Sequence, residues 1–407
     1  MTRNKPKLKT KIIESINHRT LRTLSVLIGF SEALVIYIAS SYFKEISGRD
    51  EIGIFYVMTY ILFLVTLLNL HKVIRLIGKT RILLLAFSGQ ILVILGLIFI
   101  PLAPLKLLLM VLFMLFDQIL LISLDILLES VTKDEATGRT RGEHLTILNI
   151  GFILGPKVST MLLASFNFTT VFVVVLVFKV IALSIGYFRL GAINHCALAR
   201  ETVGKLVMKA WKNKDVRRIY YISYALESFY ALMIMYSPIY LKSIGLSLAE
   251  IGTIFTVMLI PFLFFEYPIG WLADKELGEK EMIIFFLSWI ALATAWVYTI
   301  DRPVVWLWAL ALLATRVGAA ALEILRDSYF YKKIKDDDVD LIDFYRTARP
   351  VAYVIAAGLS VMVVDAYSVR EVFLLAGIFL LTALLPAWAL RDNLSEREVL
   401  ILASKKR

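Results

Sequence analysis

The sequence predicts an all-α membrane protein: twelve spanning helices in two six-helix bundles, with both termini cytoplasmic. Three observations predict it. The 407-residue chain is 59% hydrophobic with a mean hydropathy of +0.77. A soluble domain is nearer half apolar, so lipid is the natural solvent for this chain. Its apolar residues come in runs of about 20, the length that crosses a bilayer as a helix. Its lysines and arginines fall almost wholly on one set of the intervening loops. In lipid the backbone must satisfy its own hydrogen bonds, so runs of this length imply helices and not a barrel.

The first run, 21–43, follows the basic stretch "MTRNKPKLKTK". It is long enough to span and has no A-x-A-like cleavage site, so it reads as an anchor rather than a removed signal peptide. Runs follow at 52–70, 80–102, 105–130, 144–166 and 169–190. The longest break is 191–218. Within it, "ETVGKLVMKAWKNK" places Val203, Leu206, Val207, Ala210 and Trp211 at helical spacing, with Lys205, Lys209 and Lys212 elsewhere. That is the pattern of an amphipathic helix along the inner membrane surface, and also of a tether between halves. Six more runs occupy 219–241, 250–272, 282–300, 303–331, 345–365 and 370–390. The expected segments are a tail (1–20), a bundle (21–190), a basic linker (191–218), a second bundle (219–391) and a tail (392–407).

Of the 44 lysines and arginines, 33 lie in the tails, the linker and the loops on their side, 6 in the opposite loops and 5 inside spans. This is the positive-inside bias, and it puts the tails in the cytoplasm. The formal charge of +11 is therefore topological, and the basic loops carry no nucleic-acid recognition motif. Cys196 is the one cysteine, so neither an intrachain disulfide nor a cysteine metal cluster is expected. His18, His71, His144 and His195 lack ligand spacing, and no metal or cofactor is expected. No G-x-x-x-x-G-K-[ST] loop is present to couple ATP, and no His-rich or Ser-His-Asp set suggests an enzyme.

The two halves repeat. "YFKEISGRDEIGIFYVM" (42–58) resembles "YLKSIGLSLAEIGTIFTVM" (240–258), at an offset near 199. Parallel halves of this kind are the arrangement of a rocking transporter with its site between the repeats. "GWLADKELGEK" (270–280) resembles the loop motif of the major facilitator superfamily, through Gly270, Asp274, Lys275, Gly278 and Lys280. In the first-half copy, Leu70 and Ile74 replace the Gly and the Asp. The resemblance implies the major facilitator fold, its bundles related by a pseudo-twofold axis, with cavity residues on helices 1, 4, 7 and 10. It also implies that Asp274 faces the start of helix 5, near Arg139 and Arg141, as a cytoplasmic latch. The plainer reading of Asp274 is a solvated loop charge. "NIGFILGP" (149–156) resembles the helix-5 motif of the superfamily's antiporters in Gly151, Gly155 and Pro156. Small residues four apart also serve close helix packing.

Eleven ionisable residues fall inside the spans: Glu32, Asp117, Asp125, Lys157, Lys179, Glu227, Glu266, Arg316, Glu323, Arg326 and Arg349. Each is costly in lipid and so suggests function. The competing reading is buried pairs that pin helices together. Asp117 and Lys157 are each about 20 Å deep at 1.5 Å per residue, so they form a possible pair. Glu323 and Arg349 are also comparable in depth. Arg316 and Glu323, seven apart, share a helix face. "TRVGAAALE" (315–323) resembles the superfamily's arginine-centred proton motif, displaced to helix 10. The candidates for proton coupling or the substrate cavity are Glu32, Asp117, Asp125, Lys157, Glu227, Arg316, Glu323 and Arg349. Lys179 has no place in this scheme. The expected activity is proton-coupled transport of a small organic solute by a monomer in the cytoplasmic membrane, with efflux favoured by the Gly-Pro motif. Alternatives are import of a sugar, amino acid or organic anion, lipid flipping, or a non-transporting scaffold or sensor.

Overall fold

The computed structural model describes residues 5–131, 137–190, 203–334, 340–391 and 393, and the described residues form helices and turns without a strand. They group into two compact units, 1–48 with 65–199 and 49–64 with 200–407.

The first unit holds α1 (Lys5–Ile36), α2 (Ala39–Ser47), the later part of α3 (Gly53–Ile77), α4 (Lys79–Phe99), α5 (Ala103–Val131), α6 (Thr137–Ser165) and α7 (Phe168–Arg189). Leu21, Leu24 and Ile28 of α1 pack with Leu83 and Phe87 of α4 and Leu120, Leu124 and Leu127 of α5. α1 lies so close to α6 that glycine is required on both. A Cβ on Gly29 would stand 2.7 Å from the Leu148 carbonyl oxygen, and one on Gly151 would stand 2.7 Å from the Phe30 nitrogen. A Cβ on Gly155 would overlap Ala33. Small residues four apart on each helix thus form the seam.

The second unit holds the start of α3, then α8 (Val203–Lys212), α9 (Lys214–Ser243), α10 (Leu248–Leu259), α11 (Pro261–Phe264), α12 (Glu266–Leu272), α13 (Lys280–Thr299), α14 (Val305–Lys333), α15 (Asp340–Arg346), α16 (Ala348–Ala366) and α17 (Glu371–Trp388). The span expected at 250–272 is segmented: it breaks at Pro261, which lacks an amide proton, and ends in a π-turn, Ala273–Leu277. On α8 the expected apolar stripe divides. Leu206 and Ala210 are buried, while Val207 and Trp211 face outward.

Among the described residues, eleven helices are long and apolar enough to cross a membrane. α9, on which the expected span 219–241 lies, has the length, 30 residues, but is not among them. Of those 30 residues 21 are buried. A helix surrounded by protein need not be apolar throughout, and its polar groups can face partners instead of lipid.

Candidate transport site

Inside the first unit, two buried polar side chains converge on Asp117. Lys179 on α7 forms an ion pair with its Oδ1 at 2.9 Å, and Gln90 Nε2 on α4 donates to the same oxygen at 2.6 Å. All three are buried. The partner of Asp117 is therefore Lys179, not Lys157. Depth along the helix was matched, but direction around it was not. The α6 face carrying Gly151 and Gly155 is taken up by α1, and Lys157 lies about 200° round from Gly155 at 100° per residue. Lys157 and Asp125 are half-buried, and Glu32 is buried on α1. None of these three joins the Asp117 cluster among the contacts described.

The second unit has a larger cluster on α9, α14 and α16. Arg326 Nη2 pairs with Glu227 Oε1 at 2.8 Å, and its Nη1 donates to Ser223 Oγ at 3.0 Å. Asp327 lies 3.7 Å from Arg326 Nε and accepts from the Tyr345 hydroxyl at 3.1 Å. Arg349 turns to Glu227, at 3.9 Å, and not to Glu323. Glu323 is half-buried, and the Tyr230 hydroxyl donates to its Oε2 at 3.0 Å. Among the described residues no cation lies within ion-pair distance of Glu323. Arg316, two turns earlier on α14, lies 5.3 Å from the ring centres of both Phe229 and Tyr230. Tyr230 thus touches both: its ring meets Arg316 and its hydroxyl holds Glu323.

The model of the Major Facilitator Superfamily matches the chain twice, over residues 21–243 and 219–405. The chain belongs to the major facilitator superfamily. It is a multi-pass membrane transporter, and not an enzyme. Solved structures of nucleoside transporter NupG share the fold. One, of a point mutant, matches with a TM-score of 0.75 at 14% identity, covering 92% of this chain and 99% of that one. A second matches with a TM-score of 0.72 at 13% identity, covering 92% and 98%. At such identities the likeness shows the fold alone. No curated protein matches the chain in sequence.

In the loop motif, two of the glycines that the sequence singled out set the packing and the turn, and an acid that it did not single out makes the polar contacts. Gly270 brings α12 against α14, where a Cβ would meet Ile324 at 3.1 Å. Gly278 turns the chain at φ 71° into α13, as Gly78 does at φ 86° into α4. Lys275 is exposed and Lys280 half-buried. The side chains of Asp274, Arg139 and Arg141 lie outside the described residues. The acid that ties the loop down is Glu279, which is fully buried. It pairs with Lys332 and accepts from Ser328 Oγ at 2.8 Å and Asn393 Nδ2 at 3.0 Å. Nearby, the Tyr329 hydroxyl donates to the Arg391 carbonyl at 2.8 Å, and Arg391 Nε lies 3.8 Å from Asp215. Pro156 ends the α6 seam, and its carbonyl accepts from Thr160 Oγ1 at 2.7 Å.

Sequence reasoning named Glu323, Arg316, Glu227 and Arg349 as candidates, and Arg326 only as a charge within a span. It missed Tyr230, Ser223, Gln90 and Glu279. Arg326 could have been found from its spacing, since it lies three residues after Glu323 on the same helix.

Proposed function

We propose that this facilitator carries a small organic solute across the cytoplasmic membrane by alternating access, as a monomer, with Glu323 as its proton carrier. In this reading α9 is the seventh of twelve spans, and loop charge sets both ends of the chain on the cytoplasmic side. The observation that carries the reading is Glu323 itself: a half-buried carboxylate held by a hydroxyl, with no cation in ion-pair range among the described residues. Arg326, Glu227 and Asp327 also act on it electrostatically. A proton can be taken up and released there without stranding a buried cation. Asp117 and Glu227 differ, since each is locked to a buried Lys or Arg and would leave it uncompensated. They read as pins between helices.

The Gly151–Gly155–Pro156 resemblance favours efflux in exchange for protons. Both glycines, however, are accounted for by the α1–α6 seam. The coupling is tested with Glu323→Gln in proteoliposomes, following a transported solute with and without a pH gradient. The variant is expected to keep solute exchange and to lose uphill, pH-driven accumulation. Undiminished accumulation would remove Glu323 from the mechanism.

A further inference from the structure

Arg316 is 2% exposed, and its Nε and Nη1 atoms are buried without an acceptor. Among the described residues no carboxylate lies within ion-pair distance of it. An arginine cannot shed its proton to escape this situation. Its contacts are two aromatic rings, and their centres are 5.8 Å apart, so both rings lie to one side of the guanidinium. Ring contacts of this kind offset only part of the cost of burying a full charge. The same helix shows the alternative: Arg326, equally buried, has Glu227, Ser223 and Asp327 around it. Buried polar groups in native proteins are satisfied, and an exception calls for an explanation.

We propose that Arg316 anchors the carboxylate of a small organic anion, whose apolar body lies against Phe229 and Tyr230. This rests on the reading of Glu323 as the proton carrier, and it fixes the direction of coupling. With the site empty, Arg316 and ionised Glu323 sum to zero charge. An added anion makes the sum negative unless Glu323 takes a proton. Moving net charge through the bilayer interior is costly, so the loaded carrier crosses with one anion and one proton, and the empty carrier returns with neither. Tyr230 links the two events, because the anion settles against its ring while its hydroxyl holds the carboxyl. Of the surrounding charges, Glu227 and Asp327 are matched by Arg326 and Arg349, and Glu266 on α12 has a contact of its own.

The test uses the purified full chain in detergent, with benzoate as probe and benzamide as its uncharged counterpart, at constant ionic strength. Benzoate is expected to raise the unfolding midpoint by a few degrees and benzamide to leave it in place. Arg316→Met is expected to abolish the benzoate response while unfolding no earlier than the parent, because it removes a buried charge that has no carboxylate within ion-pair distance among the described residues. Equal responses to the two probes would overturn the proposal, as would a benzoate response that survives in Arg316→Met. An Arg316→Met protein that unfolds earlier than the parent would also overturn it, since the fold would then need the arginine. Calorimetry in two buffers of different ionisation enthalpy reads the proton. Benzoate binding should take up about one proton in the parent and none in Glu323→Gln. Arginine-dependent binding without proton uptake would sink the proton-carrier reading and leave the anion site standing. A neutral solute driven uphill through Glu323, with no benzoate response, would sink the anion site and leave the carrier.

Discussion

Lys179 is fully buried, and its ion-pair partner there is the Asp117 carboxylate. Lys179→Met would leave Asp117 buried without its cation, at a cost of about 3–5 kcal/mol. Replacing both by apolar groups, Asp117→Leu with Lys179→Met, should recover most of that loss. Thermal unfolding of the two single variants and the double variant in one detergent measures the coupling. Additive losses would show that the pair does not act as a unit. The pair also marks what a sequence reveals about a buried charge. Depth follows from counting residues along a span, but depth alone does not say which cation a carboxylate meets. Which way a side chain faces depends on which helices flank it, so Lys157 and Lys179 could not be told apart. Arg316 and Glu323 were legible because charge is rare in a span and seven residues make two turns. Tyr230 was not, because one tyrosine of 18 in an aromatic-rich chain carries no mark of its hydroxyl's partner.

The α1–α6 seam gives a prediction for elements. Gly155→Ala forces a methyl onto Ala33 and is expected to destabilise by roughly 1–3 kcal/mol. Gly358, in mid-α16, offers the control. A Cβ there would meet only Val57, at an ordinary 3.9 Å. Gly358→Ala should stabilise by roughly 0.5–1 kcal/mol through helix propensity. Unfolding midpoints of opposite sign check both, and a harmless Gly155→Ala would mean that the helices are not seated so closely. Glycines of this kind were readable as motif positions, but their purpose was not, since a motif fits close packing and antiport equally. Glu279 was unreadable for another reason. An acid beside a helix start commonly answers the helix dipole in solvent, whereas this one is buried among three partners.

Across the whole molecule, apolar runs and loop charge gave the class, the repeat and most of the spans. The segmentation at Pro261 and the polarity of α9 needed three dimensions, because both depend on what surrounds the helix. The positive-φ glycines repeat along with the sequence: Gly48 and Gly78 in the first half, Gly245 and Gly278 in the second. If the proposed topology holds, an Ala136→Cys protein in a Cys196→Ser background is reachable by an impermeant thiol reagent only from the cytoplasmic side. Labelling from outside in intact cells would refute the arrangement of spans. The Glu279 cluster bears, finally, on the order of synthesis. Glu279, Ser328 and Lys332 emerge before α17, whereas Arg391 and Asn393 follow it and so come after every described helix. Translation has to pass the final helix before the ends of α9, α13 and α14 receive the residues that draw them together. A chain that stops at Leu390 could insert every one of those helices and still lack that closure.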